Sequence, residues 1–325
     1  MKFSIGYTSD GDFLGLIKKY KDNISSVYFS LEIGNIPSGR ALDIEKTFEK
    51  NIIELLGYCK ENDIETILTL NANCEGEMTG KKEQLDKIIK ELEKYINYGL
   101  SSVTFVNLLY VSFIKDRFPN LKIYNSVNSN LNTIEQALFL KRLGVDILTI
   151  NRDINRDIDL IKKIKDKTGL KIQIMLNEGC IRACPYRRSH FNLGAHASGE
   201  DCGDLFNSFA CTYLFKKQRK YFFRVPFIRP EDLKYYYTIV DYYKLTTRGL
   251  STIVIEKMLN AYIEEKYDGN LLDILDLYID KFMRKHIGYI DNNLLTKYNF
   301  FERIKSCPGD CNNCNSCNIF LEKDV

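Results

Sequence analysis

Clustered cysteines are the clearest sign of chemistry in this sequence. Eight of the ten cysteines fall into two groups of four, and the other two, Cys59 and Cys74, stand apart as small apolar side chains. The first group is Cys180, Cys184, Cys202 and Cys211, and the second is Cys307, Cys311, Cys314 and Cys317. Clustered thiols in a reducing cytosol usually hold metal instead of forming disulfides, so both groups are predicted ligand sets.

The second group has the more specific spacing. It runs C-x3-C-x2-C-x2-C from Cys307 to Cys317, and Pro308 and Gly309 provide a tight turn. This spacing favours a [4Fe–4S] cluster over zinc, the alternative, because zinc sites more often pair two CxxC turns across a longer insert. Radical S-adenosylmethionine enzymes share the first three cysteines, but they carry them after the first barrel strand and lack the fourth. The set is interpreted as an auxiliary or electron-transfer cluster.

The first group is less specific in spacing but lies in an unusual segment. The stretch 177–226 is too long for an ordinary connection, and it contains His190 and His196 beside the cysteines. A cluster held there could contact a substrate directly, and the alternative is a set of buried, unligated thiols. We interpret the histidines as hydrogen-bonding or acid–base groups in preference to metal ligands.

The elements that must position these residues are repeated βα units. Eight short β-rich runs alternate with amphipathic helical stretches, which predicts an α/β fold of the (β/α)8 TIM-like barrel class. An open doubly wound sheet would need a glycine-rich turn after the first strand, and residues 8–12 do not provide one. The predicted strands are 3–7, 27–31, 66–70, 102–106, 122–125, 146–150, 171–175 and 242–245.

The predicted domains follow from this pattern. Residues 1–265 form the barrel, with the cluster-binding loop 177–226 inserted after strand 7, and residues 266–325 form a helical tail that carries the second cysteine set. Active sites of such barrels lie where the strands end, and the side chains there are polar. Among them, Glu32, Glu178, Arg152 and Arg248 are the candidates to orient a small anionic ligand, and His190 is the candidate acid–base group.

Composition sets limits on the partners. The net charge of +3 and the interspersed charges imply no bulk electrostatic partner such as a nucleic-acid backbone. The run FKKQRKYFFR at 215–224 could contact RNA, but a solvated helix end followed by a buried strand is the favoured interpretation. The sequence has neither a long apolar run nor a signal-peptide pattern, which predicts a cytoplasmic protein with no membrane contact.

Three segments carry a resemblance to a known family. They are NEGCIRACPYRRSHFN (177–192), FIRPEDLKYY (227–236) and VDYYKLTTRG (240–249), together with Cys202 and Cys211. In this order they resemble the collagenase-like U32 peptidase family over roughly residues 1–265, in which a "P-x-D-L" element precedes a last barrel strand. Thr246 and Thr247 stand where the family usually has glutamate and glycine.

The resemblance implies more than a fold. Similar proteins take part in oxygen-independent hydroxylation of ubiquinone precursors and of RNA bases, with four cysteines holding one [4Fe–4S] cluster. It therefore implies that Cys180, Cys184, Cys202 and Cys211 hold such a cluster, and that the substrate is a small molecule or an RNA base. It also implies an electron donor protein and a possible heterodimer partner.

Three classes of function are consistent with this sequence. The leading hypothesis is an iron–sulfur oxidoreductase or hydroxylase with two [4Fe–4S] clusters, the second of which passes electrons. A U32-type peptidase is the alternative, but the sequence contains neither HExxH nor GxSxG. The third is a non-catalytic accessory protein that binds a cluster or RNA.

Overall fold

Eight parallel strands close into a barrel in sequence order. The computed structural model describes residues 1–31, 48–196, 211–276 and 281–321. Each strand pairs with the next along the chain, and the last pairs with the first through Phe3 and Tyr243. The strands are β1 (Phe3–Gly6), β2 (Ile24–Phe29), β3 (Glu65–Leu70), β4 (Ser102–Phe105), β5 (Lys122–Asn125), β6 (Ile147–Thr149), β7 (Lys171–Met175) and β8 (Tyr242–Lys244).

The described residues also contain twelve α-helices. None of these helices is long and apolar enough to cross a membrane. They are α1 (Phe13–Lys19), α2 (Phe48–Glu61), α3 (Lys82–Tyr98), α4 (Val111–Arg117), α5 (Ile134–Leu143), α6 (Ile158–Thr168), α7 (Arg187–His196), α8 (Cys211–Lys217), α9 (Thr252–Ile263), α10 (Lys281–Ile287), α11 (Asn292–Lys297) and α12 (Phe300–Ile304).

Helix α3 shows how the sequence places a helix on the barrel. Its buried residues include Ile88, Leu92 and Tyr95, which repeat at helical spacing and form one apolar face. The helix ends where Gly99 takes a left-handed conformation with φ 115°, which glycine adopts without a steric penalty. The helices thus cover the outside of the sheet, and the main core lies between the two layers.

Side chains alternate along each strand between this outer core and the barrel interior. In β3, Leu68 and Leu70 pack in the outer core, whereas Ile67 belongs to a separate interior cluster that includes Tyr28 and Tyr124. Near the carboxyl ends of the strands the interior is polar, with Thr149 Oγ1 3.2 Å from Gln173 Oε1. The barrel therefore presents a polar floor to its carboxyl-terminal face.

The predicted (β/α)8 barrel is confirmed, with all eight predicted strands present. The largest difference is in β2, which begins at Ile24 instead of residue 27, because the run Ile24-Ser25-Ser26 pairs with β1 although its serines weaken the β signal. After β7 the chain forms α7, α8 and a 3-10 helix over Arg219–Arg224 before it reaches β8. The long connection after strand 7 is therefore as expected.

Candidate active site at the barrel mouth

A cavity of about 400 Å³ opens at the carboxyl-terminal face of the barrel. The side chains around it come from the ends of several strands and from the beginning of α7. The members that bear on chemistry are Asn73, Asn128, Arg152, Cys184, Arg187 and Phe191. Amides, guanidinium groups, a thiol and one aromatic ring suit a small polar ligand.

Arg152 is the central cation of this cavity. It follows β6 and is only 3% exposed. Its Nε donates to Glu178 Oε2 at 2.7 Å, and its Nη2 donates to Asn128 Oδ1 at 3.2 Å. The ring of Phe191 lies 5.1 Å from the guanidinium carbon. Within the described residues, the buried Nη1 has no hydrogen-bond partner, so one donor is left for a ligand.

Glu178 connects Arg152 to the cysteine loop. Its Oε1 accepts the backbone N–H groups of Gly179 and Cys180 at 3.1 and 2.9 Å. Burial raises the pKa of the Glu178 carboxyl, but the charge and hydrogen bond of Arg152 and the N–H of Cys180 outweigh this, so the pKa lies below its ordinary value. Glu178 is therefore an anion that fixes where the loop begins.

Arg187 holds the same loop from the other side. Its Nε donates to Cys180 Sγ at 3.3 Å, and its Nη1 and Nη2 pair with Asp153 at 2.6 and 2.7 Å. Asp153 also accepts the N–H of Ala183 at 2.9 Å, and Ala183 has the left-handed φ of 52°. A non-glycine residue keeps such a conformation only where its surroundings impose it. The loop 180–184 is thus held in a defined shape.

Cys180 lies among cationic and hydrogen-bonding groups. Burial raises the pKa of the Cys180 thiol above its ordinary value, while the charges of Arg152 and Arg187 oppose that rise. N–H donors to sulfur and nearby cations are features that stabilise thiolate-ligated iron. Among the described residues, no three His, Cys, Asp or Glu side chains converge as metal ligands, and Cys202 lies outside them.

The remaining predicted site residues are found in different places. Glu32, like Cys202, lies outside the described residues. Cys211 is the first residue of α8 and packs, partly buried, against the main core. His190 lies in α7 next to Phe191, with the two rings 5.9 Å apart, and burial lowers the pKa of its imidazole.

Arg248 lies inside the barrel, below the cavity. Its guanidinium donates to the hydroxyl oxygens of Ser30 and Thr69. Gly6 makes room for it, since a Cβ at Gly6 would stand 2.6 Å from Arg248 Cγ and 2.8 Å from the Tyr28 ring. This arginine therefore belongs to the polar floor of the barrel, and the guanidinium groups at the cavity come from Arg152 and residues 187–188.

The second cysteine set lies in the tail that follows α12. Cys307, Cys311 and Cys317 are partly buried and pack against the core, whereas Cys314 Sγ donates to Ser316 Oγ at 3.2 Å. Burial raises the pKa of the Cys317 thiol to about 11, and the neighbouring thiols of the set add to that rise. The four sulfurs therefore lie within electrostatic range of one another.

The tail is packed on the chain between α8 and β8. Phe320 is 1% exposed and contacts Phe223 and Phe300, with ring centroids 5.2 and 5.1 Å apart. Phe222 and Phe223, which belong to the run 215–224 considered for RNA contact, are buried. The basic run 215–224 thus directs its aromatic rings into the core and its Lys220 towards the tail.

Two residues of the site were not singled out from the sequence. Asp153 directly follows Arg152, and Arg187 lies within the segment 177–192, so both were visible as neighbours of candidates. Their bidentate pair joins positions 34 residues apart, and neither helical nor strand periodicity encodes it. The available signal was the position of each next to a candidate: Arg152 for Asp153, and the cysteine segment for Arg187.

Comparisons with known proteins agree with the fold. The sequence profile described as "Peptidase family U32" matches residues 11–187. A protein of Methanocaldococcus jannaschii named "Uncharacterized protease MJ1657" is 30% identical over 99% of this chain and 98% of its own length. A structure described as "The Structure of the U32 Peptidase Mk0906" matches with a TM-score of 0.56 at 14% identity, over 77% of this chain and 94% of that chain. The resemblance expected from the sequence is confirmed: the chain belongs to peptidase family U32.

Proposed function

We propose that this chain is an iron–sulfur oxidoreductase that modifies a small anionic molecule, or an RNA base, by oxygen-independent hydroxylation or a related redox reaction. The observation that carries the proposal is the arrangement at the mouth. Arg187 donates to the Cys180 sulfur, and the same loop adjoins a cavity in which a buried donor of Arg152 is unsatisfied. Two of the proposed ligands, Cys180 and Cys184, thus lie beside a cavity with an unsatisfied cationic donor.

The first cysteine set would hold the cluster. Cys180, Cys184, Cys202 and Cys211 are the proposed ligands of one [4Fe–4S] cluster, which when bound supplies one-electron chemistry at the cavity. The protein's own part is positioning. Glu178 and Arg187 fix the loop through the Cys180 N–H and Sγ, so two independent contacts define where this ligand lies.

The cavity would bind the substrate through complementary donors and acceptors. The free Nη1 of Arg152 suits a carboxylate or phosphate oxygen, and the buried Asn73 Oδ1, also without a partner among the described residues, suits an N–H or O–H. Phe191 provides an aromatic face beside them. His190, next to Phe191 on α7, is the proposed acid–base group, and desolvation lowers the pKa of its imidazole.

Peptide hydrolysis is the second candidate, because the relatives are named as proteases or peptidases. A nucleophilic cysteine needs an adjacent general base, whereas the hydrogen-bond partner of the Cys180 sulfur is an arginine. Turnover of peptide substrates by metal-free protein, lost in Cys180→Ala, would favour this candidate. Absence of turnover in both metal-free and iron-loaded protein would remove it.

Iron content tests the proposed cluster directly. In protein purified without oxygen, we expect Cys180→Ala/Cys184→Ala to lose about four irons and the matching sulfide, since the two thiolates that remain are too few to hold a [4Fe–4S] cluster. The measurement is iron and sulfide analysis with EPR of the dithionite-reduced protein. Cys74→Ala, which removes a thiol outside both sets, is the matched control and should keep all its iron. Equal iron in the double variant and the wild type would contradict the proposal.

Ligand affinity tests the role of Arg152. For whichever member of a panel of carboxylates and phosphate monoesters binds the wild type, we expect Arg152→Gln to weaken binding by about 10- to 100-fold, because a hydrogen bond to a charged group contributes about 1.5–3 kcal/mol. The measurement is calorimetric titration. Arg188→Gln is the matched control, since this arginine borders the same cavity but is exposed and screened by solvent. Equal losses in both variants would show that only the net charge matters.

A further inference from the structure

Two amide side chains line the mouth cavity on the side of β5 and β6. Asn128 and Asn130 follow β5, and they line the cavity together with Arg152, which follows β6. An amide carries one acceptor oxygen and one donor nitrogen, so the partners of one of these atoms decide which atom is left for a ligand. The hydrogen bonds around Asn128 and Asn130 make that decision for both side chains.

Arg152 fixes the orientation of the Asn128 amide. Asn128 Oδ1 accepts from Arg152 Nη2 at 3.2 Å, and a guanidinium group can only donate. The backbone N–H of Asn128 donates to Ser126 Oγ at 3.2 Å, which holds the residue at the end of β5. The oxygen of this amide is therefore occupied, and its Nδ2 group remains as a donor beside the cavity.

Two successive hydrogen bonds fix the orientation of the Asn130 amide. The backbone N–H of Asp153 donates to Asn151 Oδ1 at 2.8 Å, so the Nδ2 group must be the donor of the Asn151 side chain. Asn151 Nδ2 then donates to Asn130 Oδ1 at 3.0 Å. Asn130 has the left-handed φ of 58°, which asparagine tolerates better than most residues. Its Nδ2 group is thus a second donor that is left for a ligand.

Arg152 supplies the third donor. Its side chain is buried, and Nη1 has no hydrogen-bond partner among the described residues. Nitrogen donors from three residues, Arg152, Asn128 and Asn130, therefore line one cavity. Since the oxygens of both amides already accept hydrogen bonds, a group that binds between these residues meets donors. Such a group must itself consist of acceptor oxygens.

Helix α7 begins at the same cavity. Arg187 and Arg188 of its first turn line the cavity, as do Phe191 and Asn192 one turn later. The N–H groups of the first turn have no partner within a helix, and the helix dipole makes this end positive, so it favours anions such as phosphate. An ionised phosphate monoester has three strong acceptor oxygens, one for each side-chain donor, whereas a carboxylate has two.

We infer that the mouth cavity binds its substrate through a phosphate monoester group held by Arg152, Asn128 and Asn130. The inference rests on the proposed function, because it names the anionic group of the substrate at that site. The buried Asn73 Oδ1, which has no partner among the described residues, and the ring of Phe191 are left for the rest of the molecule. A small phosphorylated molecule that also carries a hydroxyl or N–H group fits this arrangement.

Three probes that share one ring and differ in their anionic group test the inference. In calorimetric titrations of the full chain, we expect phenyl phosphate to bind at least about 10-fold more tightly than methyl phenyl phosphate or benzoate. The diester and the carboxylate each offer one acceptor oxygen fewer, and a hydrogen bond to a charged group corresponds to about that factor or more.

Three results with the wild type would overturn the inference. Equal or tighter binding of the diester would indicate a backbone phosphate of a nucleic acid. Equal or tighter binding of benzoate would indicate a carboxylic acid. The third result is a protein that binds neither phenyl phosphate nor inorganic phosphate. This comparison needs no variant, so it does not depend on whether a substitution disturbs the fold.

Variants of the same shape test the two amides. Asn128→Asp and Asn130→Asp keep the acceptor oxygen but replace the donor with an anionic oxygen, so each should weaken phenyl phosphate binding by about 10-fold or more. Asn120→Asp is the matched control, because this exposed residue precedes β5 at the opposite end of the barrel and should leave the affinity unchanged. Unchanged affinity in both cavity variants would overturn the inference.

Iron analysis of the same samples separates this inference from the proposed function. Selective binding of phenyl phosphate by a protein that holds no iron after anaerobic purification would support the inference and remove the redox function. Iron in a protein that prefers benzoate would support the redox function and overturn the inference. The two proposals therefore fail separately.

Discussion

The Glu178→Leu variant is expected to lose about 3–5 kcal/mol of unfolding free energy, because it leaves the Arg152 guanidinium buried without its carboxylate. Arg152 Nε and Glu178 Oε2 are 2.7 Å apart, and the two side chains are 4% and 6% exposed. The side chain of leucine fills a similar volume, so the loss reports the uncompensated charge more than a cavity. Urea denaturation of metal-free protein measures it.

A double-mutant cycle separates the pair from its surroundings. Arg152→Met/Glu178→Leu removes both charges, so we expect its loss to be smaller than the sum of the single losses by about 1–3 kcal/mol. The double variant will still be less stable than the wild type, since the N–H groups of Gly179 and Cys180 lose their acceptor. Strictly additive losses would mean that the ion pair contributes no coupling.

The same pair predicts a pH dependence. The pKa of Glu178 is lower in the folded protein than in the unfolded chain, where it is about 4.3. The contribution of ionised Glu178 to folding stability is therefore complete above its pKa in the unfolded chain. It is lost as the pH falls through its pKa in the folded protein. The difference in stability between the wild type and Glu178→Leu should shrink below about pH 4. A difference that stays constant from pH 7 to pH 3 would contradict this assignment.

The sequence predicts the parts of this site that follow from strand ends. Arg152 and Glu178 come directly after neighbouring strands β6 and β7, and parallel strands bring such residues to one face, where they meet as an ion pair. Arg248 also follows a strand, but Gly6 leaves space beside it and the side chain enters the barrel. Gly6 has no side chain opposite Arg248, and strand periodicity in the sequence does not predict which residues face each other inside the barrel.

Sequence periodicity does not predict contacts between segments that are far apart in the chain. The four cysteines of the tail are recognisable from spacing alone, but their attachment to the segment 219–224 depends on tertiary packing. Lys220 bonds to a carbonyl oxygen 94 residues away, and Arg182 to one 125 residues away. The basic run 215–224 is visible in the sequence as a charge pattern. Only the fold shows that part of this charge faces the cysteine loop.

Replacement of Arg156 is expected to cause the second large loss of unfolding free energy. Its guanidinium makes four hydrogen bonds to the carbonyl oxygens of Phe223, Val225 and Phe227, at 2.6–3.3 Å. Each such bond from a charged donor contributes about 1.5–3 kcal/mol, whereas desolvation of the cation costs several kcal/mol. The bonds outweigh that cost, so Arg156→Met should lower the unfolding free energy of metal-free protein by about 3 kcal/mol or more.

The matched control is Arg142→Met, at an exposed arginine of α5, which should change stability by less than about 0.5 kcal/mol. Comparison of metal-free and iron-loaded protein then separates two roles of Arg156. If the guanidinium only stabilises the segment 223–227, the loss of unfolding free energy is equal in metal-free and iron-loaded protein. If it also offsets the charge of a tail cluster, the loss is larger in the iron-loaded form, and the variant releases its tail iron faster. Burial lowers the pKa of Arg156 to about 10, while Tyr236, Asp232 and Cys307 oppose that shift, so an equal loss in both forms would show that these groups of the chain already compensate its charge.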